Sequence, residues 1–410
     1  MVSMKARQLK ALIDQICFRD QKMAFVSGPR QCGKTTLAKM LLEERRTGAY
    51  HNWDDVEFRR LWTKDPKAAV PKHSGEKVPL VVFDEIHKAK FWKRTLKGVY
   101  DTLAAPADIM VTGSARLNVY RRGSDSLLGR YYHFRLHPFT LREMETTTVP
   151  GPDDVITRLQ RRSLRMVKQR QKNLDDLLQY GPFPEPLLAQ NQRRARLWRR
   201  NRIERVIRED LRDLSRTLEL SRVEMLAALL PERVGSPLPL SPLADYLEVS
   251  YDTVKRWMNF LSELYYIFEL RPYTKQIVRG LRKERKVYFW DAAEVEDPGP
   301  RFENLIAGHL LKACHIWTDC GEGVFELFYL RNKEKQEIDF LITRDGKAWL
   351  PVEAKLSEAN PSPNWRKLLP QLPCKFGLQL CAAPGHWRVY SEGRQTLLVA
   401  SAAEALYYLP

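Results

Sequence analysis

The sequence predicts an α/β chain: a parallel-sheet core at the amino end, an arginine-rich helical middle, and a second strand-rich region at the carboxyl end. Three observations carry this. From Phe25, "FVSGPRQCGKTTLAKM" runs from an apolar strand through a glycine-rich turn into a helical pattern. Two later apolar runs, "PLVVFDE" and "ADIMVTGS", end in polar residues, as parallel strands do where they reach a ligand edge. Near the carboxyl end, "EIDFLI" and "WLPVEAKL" flank Asp345-Gly346, a hairpin signal.

A chain of 410 residues exceeds what one hydrophobic core organises, so two or three domains are expected, and the 44% hydrophobic share suffices to fill them. Lys and Arg number 68 against 50 Asp and Glu, a formal charge of +18 that favours a polyanionic partner. Nucleic acid comes first, with DNA favoured over RNA; an acidic protein or ribosomal RNA would also answer to the charge. No apolar run is long enough to span a bilayer and no basic segment leads into an apolar leader core, so the expectation is a cytoplasmic protein without membrane contact. The 6 cysteines follow no zinc spacing and read as buried thiols.

Gly28, Gly33, Lys34 and Thr35 fit the spacing G-x-x-x-x-G-K-[ST]. A phosphate cradle needs inward backbone N–H groups, glycines where side chains would collide, and a helix start aimed at the anion. The segment Gly28, Pro29, Arg30, Gln31, Cys32, Gly33, Lys34, Thr35 and Thr36 is therefore the expected nucleotide site, with ATP and Mg²⁺ as cofactors. Lys34 reaches the β/γ-phosphates and Thr35 ligates the metal. In "PLVVFDEIHK", Asp84 is expected to hold Mg²⁺ through its water shell and Glu85 to polarise the attacking water. Ser114, after the next strand, reads as a γ-phosphate sensor or as a turn serine. Arg130 reads as a guanidinium for transition-state charge, in its own subunit or a neighbour's, or as a structural arginine. A role in a neighbour implies a homo-oligomer, although the sequence equally permits a monomer.

The succession "GPRQCGKTT", "YHNWDD", "LVVFDEIHK", "MVTGS", "LLGR", "LHPFTLREM" and "LLQYGPFPEP" resembles the AAA+-like P-loop ATPases of bacteria and archaea that carry a C-terminal domain of unknown function. The resemblance implies a doubly wound P-loop NTPase sheet, a small helical lid, a winged-helix segment and a nuclease-like carboxyl fold. Pro182 stands where a second glycine is common. The expected divisions are 1–145, the ATPase core; 146–205, a basic helical lid or linker; 206–285, a helix-turn-helix segment of winged-helix type; and 286–410, a nuclease-like domain.

From Asp153 to Arg208, runs such as "RRARLWRRNRIERVIRED" read either as a solvated helical face or as a nucleic-acid track. Further on, a short helix over 243–247, a turn over 248–250 with Ser250 as N-cap, and a longer helix over 251–264 form a helix-turn-helix pattern. There Tyr251, Asp252, Lys255 and Arg256 would face a DNA groove, unless the unit serves only for packing.

Strand alternation puts Glu353 and Lys355 on one face, and if the paired strand brings Asp339 alongside, the three side chains converge. Two carboxylates and an ammonium suit metal-dependent phosphodiester cleavage: Asp339 and Glu353 as Mg²⁺ ligands, Lys355 orienting water and stabilising charge. The arrangement resembles the PD-(D/E)XK nuclease core, in which an acid on the preceding helix often joins the site, and Glu303 matches that position. Glu334 and Glu337 read as charged residues of a hairpin edge. Two functions follow: an ATP-gated DNA endonuclease, or an ATP-dependent binder or regulator with an inert nuclease fold.

Overall fold

The computed structural model describes residues 5–72, 78–113, 127–161, 166–210, 219–274, 284–357 and 360–410. They form two compact units, 1–138 and 139–410.

The first unit holds β1 (Met23–Ser27), β2 (Gly48–Asn52), β3 (Leu80–Asp84), β4 (Asp108–Thr112) and β5 (Tyr131–Arg135). The sheet order is β2-β3-β4-β1-β5, with every neighbouring pair parallel. β1 and β3 are buried at every position, which is why they read as unbroken apolar runs. From β1 the chain goes out to the β2 edge, returns through β3 and β4, and passes beyond β1 to β5. The order therefore reverses at β1, and the carboxyl end of that strand is the switch point where open α/β sheets take ligands. One face carries a layer of aromatic rings, with Phe58 of the helix Val56–Lys64 stacked on Phe83 and Trp62 of the same helix meeting it edge-on. Asp55 caps that helix, accepting from the Glu57 N–H at 2.9 Å.

The second unit holds β6 (Pro237–Leu238), β7 (Ile267–Pro272), β8 (Arg285–Phe289), β9 (Phe325–Arg331), β10 (Glu337–Arg344), β11 (Lys347–Lys355), β12 (Phe376–Cys381), β13 (Trp387–Glu392) and β14 (Gln395–Ser401). They make one mixed sheet in the order β13-β14-β12-β11-β10-β9-β7-β8-β6. β7 joins its two parts, pairing antiparallel with β8 and, through Arg271 and Pro272, parallel with β9. The division drawn at 285/286 falls inside β8, and the helix-turn-helix segment shares a sheet with the carboxyl region. Strand alternation marks a strand but does not name its partner, which is how a boundary came to be placed there. The β10–β11 turn is as read: Asp345 and Gly346 take φ of 51° and 74°, the left-handed pair a tight hairpin demands.

Helices Leu240–Tyr246 and Tyr251–Glu263 match the expected pair, and Ser250 caps the second by accepting from the Thr253 N–H at 3.2 Å. The helix Pro298–Asp319 packs Leu305, Ile306, Leu310, Ile316 and Trp317 into the unit, in the periodicity its sequence displays. The arginines of the middle divide into two sets. Arg170 pairs with Glu404 at 2.6 Å under the Tyr407 ring, Arg199 with Asp291 at 3.1 Å, and Arg202 donates to the Tyr265 carbonyl at 3.1 Å. Arg193, Arg194, Arg196, Arg200 and Arg205 remain exposed on the helix Gln192–Arg205. Neither a single solvated face nor a single track describes the run. Among the described residues no helix is long and apolar enough to cross a membrane.

Candidate functional site

Gly28 opens the turn after β1 pressed against the backbone leaving β5: a β-carbon there would lie 2.3 Å from the Leu136 carbonyl oxygen. Only glycine permits that approach. Gln31 and Gly33 take left-handed φ of 62° and 99°, folding the loop over the start of the helix Lys34–Arg45. No side chain caps this helix, so its first N–H groups remain available to an anion. The Lys34 ammonium is buried in the loop mouth, donating to the Gly28 and Pro29 carbonyls at 2.9 and 2.7 Å.

Asp84 gathers three hydroxyls at the ends of β3 and β4. Its carboxylate accepts from the hydroxyls of Thr35 at 2.8 Å and Tyr50 at 2.6 Å, and from Thr112 on the neighbouring β4. These partners suit Mg²⁺: Thr35 spends its proton on Asp84 and keeps its oxygen lone pairs for a hard cation. Glu85 follows in the left-handed conformation, φ 57°, with a carboxylate oxygen 3.3 Å from His87 Nε2. Burial pushes its carboxyl up, with the Lys34 ammonium opposing.

Tyr50, Thr112 and Arg7 went unnoticed as site residues. Burial, then the bond to Asp84, pushes the Tyr50 phenol up to about 12, so it donates throughout the neutral range. Tyr50 lies in the quoted "YHNWDD", yet nothing in that pattern points to a role beside Asp84. Arg7 is buried and donates to the Cys32 carbonyl at 2.7 Å and to the His137 carbonyl, bracing the loop from behind. Its position before the first strand carries no sequence signal.

Ser114 lies outside the described residues. Arg130 stands at the amino edge of the sheet, where its carbonyl accepts from Met23 N–H, opposite the edge that carries the loop. Its guanidinium forms a two-pronged pair with Asp101 at 2.6 and 2.9 Å. A contact to a nucleotide of its own subunit is therefore ruled out by topology.

In the second unit, β10 and β11 pair Phe340 with Val352, setting Asp339 across from Glu353, and Asp339 accepts from the Ala354 N–H at 2.9 Å. Glu353 is 1% exposed; one oxygen lies 3.0 Å from Lys355 Nζ, and the other, Oε2, is buried without a partner. Burial and the Asp339 charge push its carboxyl up to about 7, with Lys355 opposing. Glu303 accepts from the Tyr288 hydroxyl at 2.7 Å with Lys286 Nζ at 3.4 Å, and burial and the Asp339 charge push its carboxyl up to about 7. Glu337, read as an edge residue, reaches Lys286 at 2.5 Å. The sequence gives a faint sign of this in a lysine alternating with apolar residues in "KVYF". Among the described residues no three His, Cys, Asp or Glu side chains converge to hold a metal ion. A single ion between Asp339 and Glu353 fits the unpartnered oxygen; a three-carboxylate site including Glu303 does not.

On the helix Tyr251–Glu263, Tyr251, Asp252, Lys255 and Arg256 are all exposed.

Residues 20–145 match the family described as an AAA domain, residues 171–294 a domain of unknown function (DUF8612), and residues 298–388 another (DUF4143). The uncharacterized proteins Rv2008c of Mycobacterium tuberculosis and Mb2031c of Mycobacterium bovis are each 23% identical over 269 residues, 66% of this chain and 54% of theirs. The chain thus spans about half the length of the curated relatives it matches. Among solved structures, AMPPCP-bound DnaA from Aquifex aeolicus aligns at 15% identity, with a TM-score of 0.30, over 62% of this chain and 86% of that one. A DNA replication initiation factor aligns over the same shares at 14% identity and a TM-score of 0.27. The AAA match and the loop geometry agree on the amino-terminal segment, which is an AAA-type P-loop domain.

Proposed function

We propose that this chain is a Mg²⁺-dependent ATPase whose nucleotide state controls a DNA-interacting carboxyl-side region. One observation carries the ATPase half: the Asp84 carboxylate accepts a hydrogen bond from the Thr35 hydroxyl, beside a loop whose Gly28 and Pro29 carbonyls hold the Lys34 ammonium. When bound, ATP·Mg²⁺ supplies the transferable phosphoryl group and its counter-charge. Lys34 exchanges two loop carbonyls for phosphate oxygens, Thr35 and Asp84 hold the metal, and Glu85 takes a proton from the attacking water. Lys34→Ala is expected to abolish turnover, and Glu85→Gln to retain ATP uncleaved; a folded Lys34→Ala protein hydrolysing at the wild-type rate would sink the assignment.

The DNA half is supported by the exposed Lys255 and Arg256 at the start of the second helix of the pair and by the exposed arginines from Arg193 to Arg205. Fluorescence anisotropy on duplex DNA across a salt series tests it, with affinity expected to fall steeply as salt rises. A second reading, metal-dependent cleavage, is favoured by the buried unpartnered Glu353 oxygen beside Lys355. Incubation of circular DNA with Mg²⁺ separates the two: cutting lost in Lys355→Ala establishes the nuclease, and DNA bound but uncut by the wild type establishes the binder.

A further inference from the structure

We propose that Lys286 is the resident cation of the carboxyl-side cluster, occupying at Glu303 and Glu337 the place a second metal would need and leaving only Asp339 and Glu353 to one divalent ion. The proposal rests on the reading of that cluster as a nuclease-like site.

Lys286 is fully buried, with Nζ 2.5 Å from Glu337 and 3.4 Å from Glu303. Tyr288, two residues along the same face of β8, donates to the Glu303 oxygen that Lys286 also faces. The other Glu303 oxygen lies against Gly235, where a β-carbon would come within 2.7 Å of it. Glu303 is thus enclosed by the strands and turn of the helix-turn-helix segment. Arg331 stands 3.6 Å from the second oxygen of Glu337. Two carboxylates facing one ammonium and one guanidinium sum to zero formal charge, so little field remains there to strip water from a divalent cation.

The other half of the cluster is different. Asp339 and Glu353 face Lys355, the Asp339 charge also acts on Lys286, and the four carboxylates Glu303, Glu337, Asp339 and Glu353 exceed the three cations Lys286, Arg331 and Lys355 by one; Glu353 Oε2 is buried without a hydrogen bond. Leaving such an oxygen desolvated and unbonded is costly, and a hard cation that retains several waters would relieve it. The number of ions bound is consequently decided by a lysine that β8 contributes from outside the hairpin and helix that carry the acids.

The test is a Mn²⁺ titration of the full chain without nucleotide, carrying Asp84→Asn to remove metal at the phosphate loop, with free Mn²⁺ read by electron paramagnetic resonance. One ion is expected, with Glu303→Gln leaving its affinity within about twofold and Asp339→Asn weakening it about tenfold or more. Lys286→Met should admit a second ion; if that variant fails to fold, the double variant Lys286→Met with Glu303→Gln, which removes both partners, should regain a melting transition, and its failure to do so would overturn the pairing. Glu303→Gln abolishing binding as completely as Asp339→Asn would overturn the Lys286 assignment while keeping the cluster a metal site. A wild-type cluster that binds no Mn²⁺ would overturn the site reading itself, and the proposal with it.

Discussion

Replacing Gly28 by alanine tests the loop where its geometry is tightest. The new β-carbon would stand 2.3 Å from the Leu136 carbonyl oxygen and 3.3 Å from Cys32 Sγ. Carbon–oxygen contacts settle near ~3.4 Å, so the overlap is about 1 Å. Neither neighbour yields easily, because Leu136 N–H is bonded to the Ser27 carbonyl at 2.8 Å and the Cys32 carbonyl is held by Arg7. Overpacking of this kind costs roughly 1–3 kcal/mol, and the φ of +154° adds about 1 for a residue with a β-carbon. The sum, about 2–4 kcal/mol, corresponds to a fall on the order of 10 °C in the transition of the amino-terminal unit. If the loop escapes by moving about 1 Å instead, turnover falls roughly a hundredfold. Thermal melting with and without ATP·Mg²⁺, alongside phosphate release, reads both outcomes. A variant that melts with the wild type and hydrolyses ATP within about twofold of it would refute the close-approach argument.

Three other outcomes follow from the structure. Tyr50→Phe removes one hydroxyl from the Asp84 carboxylate, a charge-assisted bond worth about 1.5–3 kcal/mol, so turnover at limiting Mg²⁺ should drop roughly ten- to hundredfold and recover in part at high Mg²⁺. Arg130→Ala should leave hydrolysis by dilute protein unchanged; a loss that grows with protein concentration would instead place Arg130 at a neighbour's nucleotide. His309 accepts from the Leu141 N–H at 3.0 Å, donates to the Leu305 carbonyl, and is held near pKa 4 by burial, with Lys312 adding to the effect. Its unfolded value is about 6.5, so the unfolded chain takes the proton first as pH falls; up to about 3 kcal/mol of stability, intact above pH 6.5, is lost on the way down to pH 4, and His309→Gln should flatten that part of the melting profile.

The phosphate loop was legible because its requirements are local. Spacing fixes the turn, the glycines fix its conformation, and Asp84 follows from the rule that ligands collect at strand ends. Tyr50, Arg7 and Lys286 were not, because their partners are distant in sequence: Arg7 reaches Cys32, and Lys286 on β8 reaches Glu337 on β10, a strand it does not pair with and whose place in the sheet periodicity cannot specify. Glu337 shows how the inference slipped. Alternation places it on a polar face, and a polar face is read as solvated unless another segment is known to cover it. The arginine run misled in the same way: Arg202 looks like its neighbours in sequence, but it is 3% exposed and packed over the Phe183 ring.

That division of the arginines strengthens the case for a polyanionic partner. Five cations of the second unit face carboxylates: Arg170 faces Glu404, Arg199 faces Asp291, Arg202 stands 3.5 Å from Glu294, Lys312 lies 2.7 Å from Glu143, and Lys286 lies between Glu303 and Glu337. These pairs hold their arginines in place within the unit, while Arg193, Arg194, Arg196, Arg200 and Arg205 stay exposed on the helix Gln192–Arg205. Under the proposed nucleic-acid binding, those exposed arginines would meet phosphate backbones without regard to sequence, and any selectivity would come from exposed groups such as Tyr251 and Arg256 that can reach beyond the backbone.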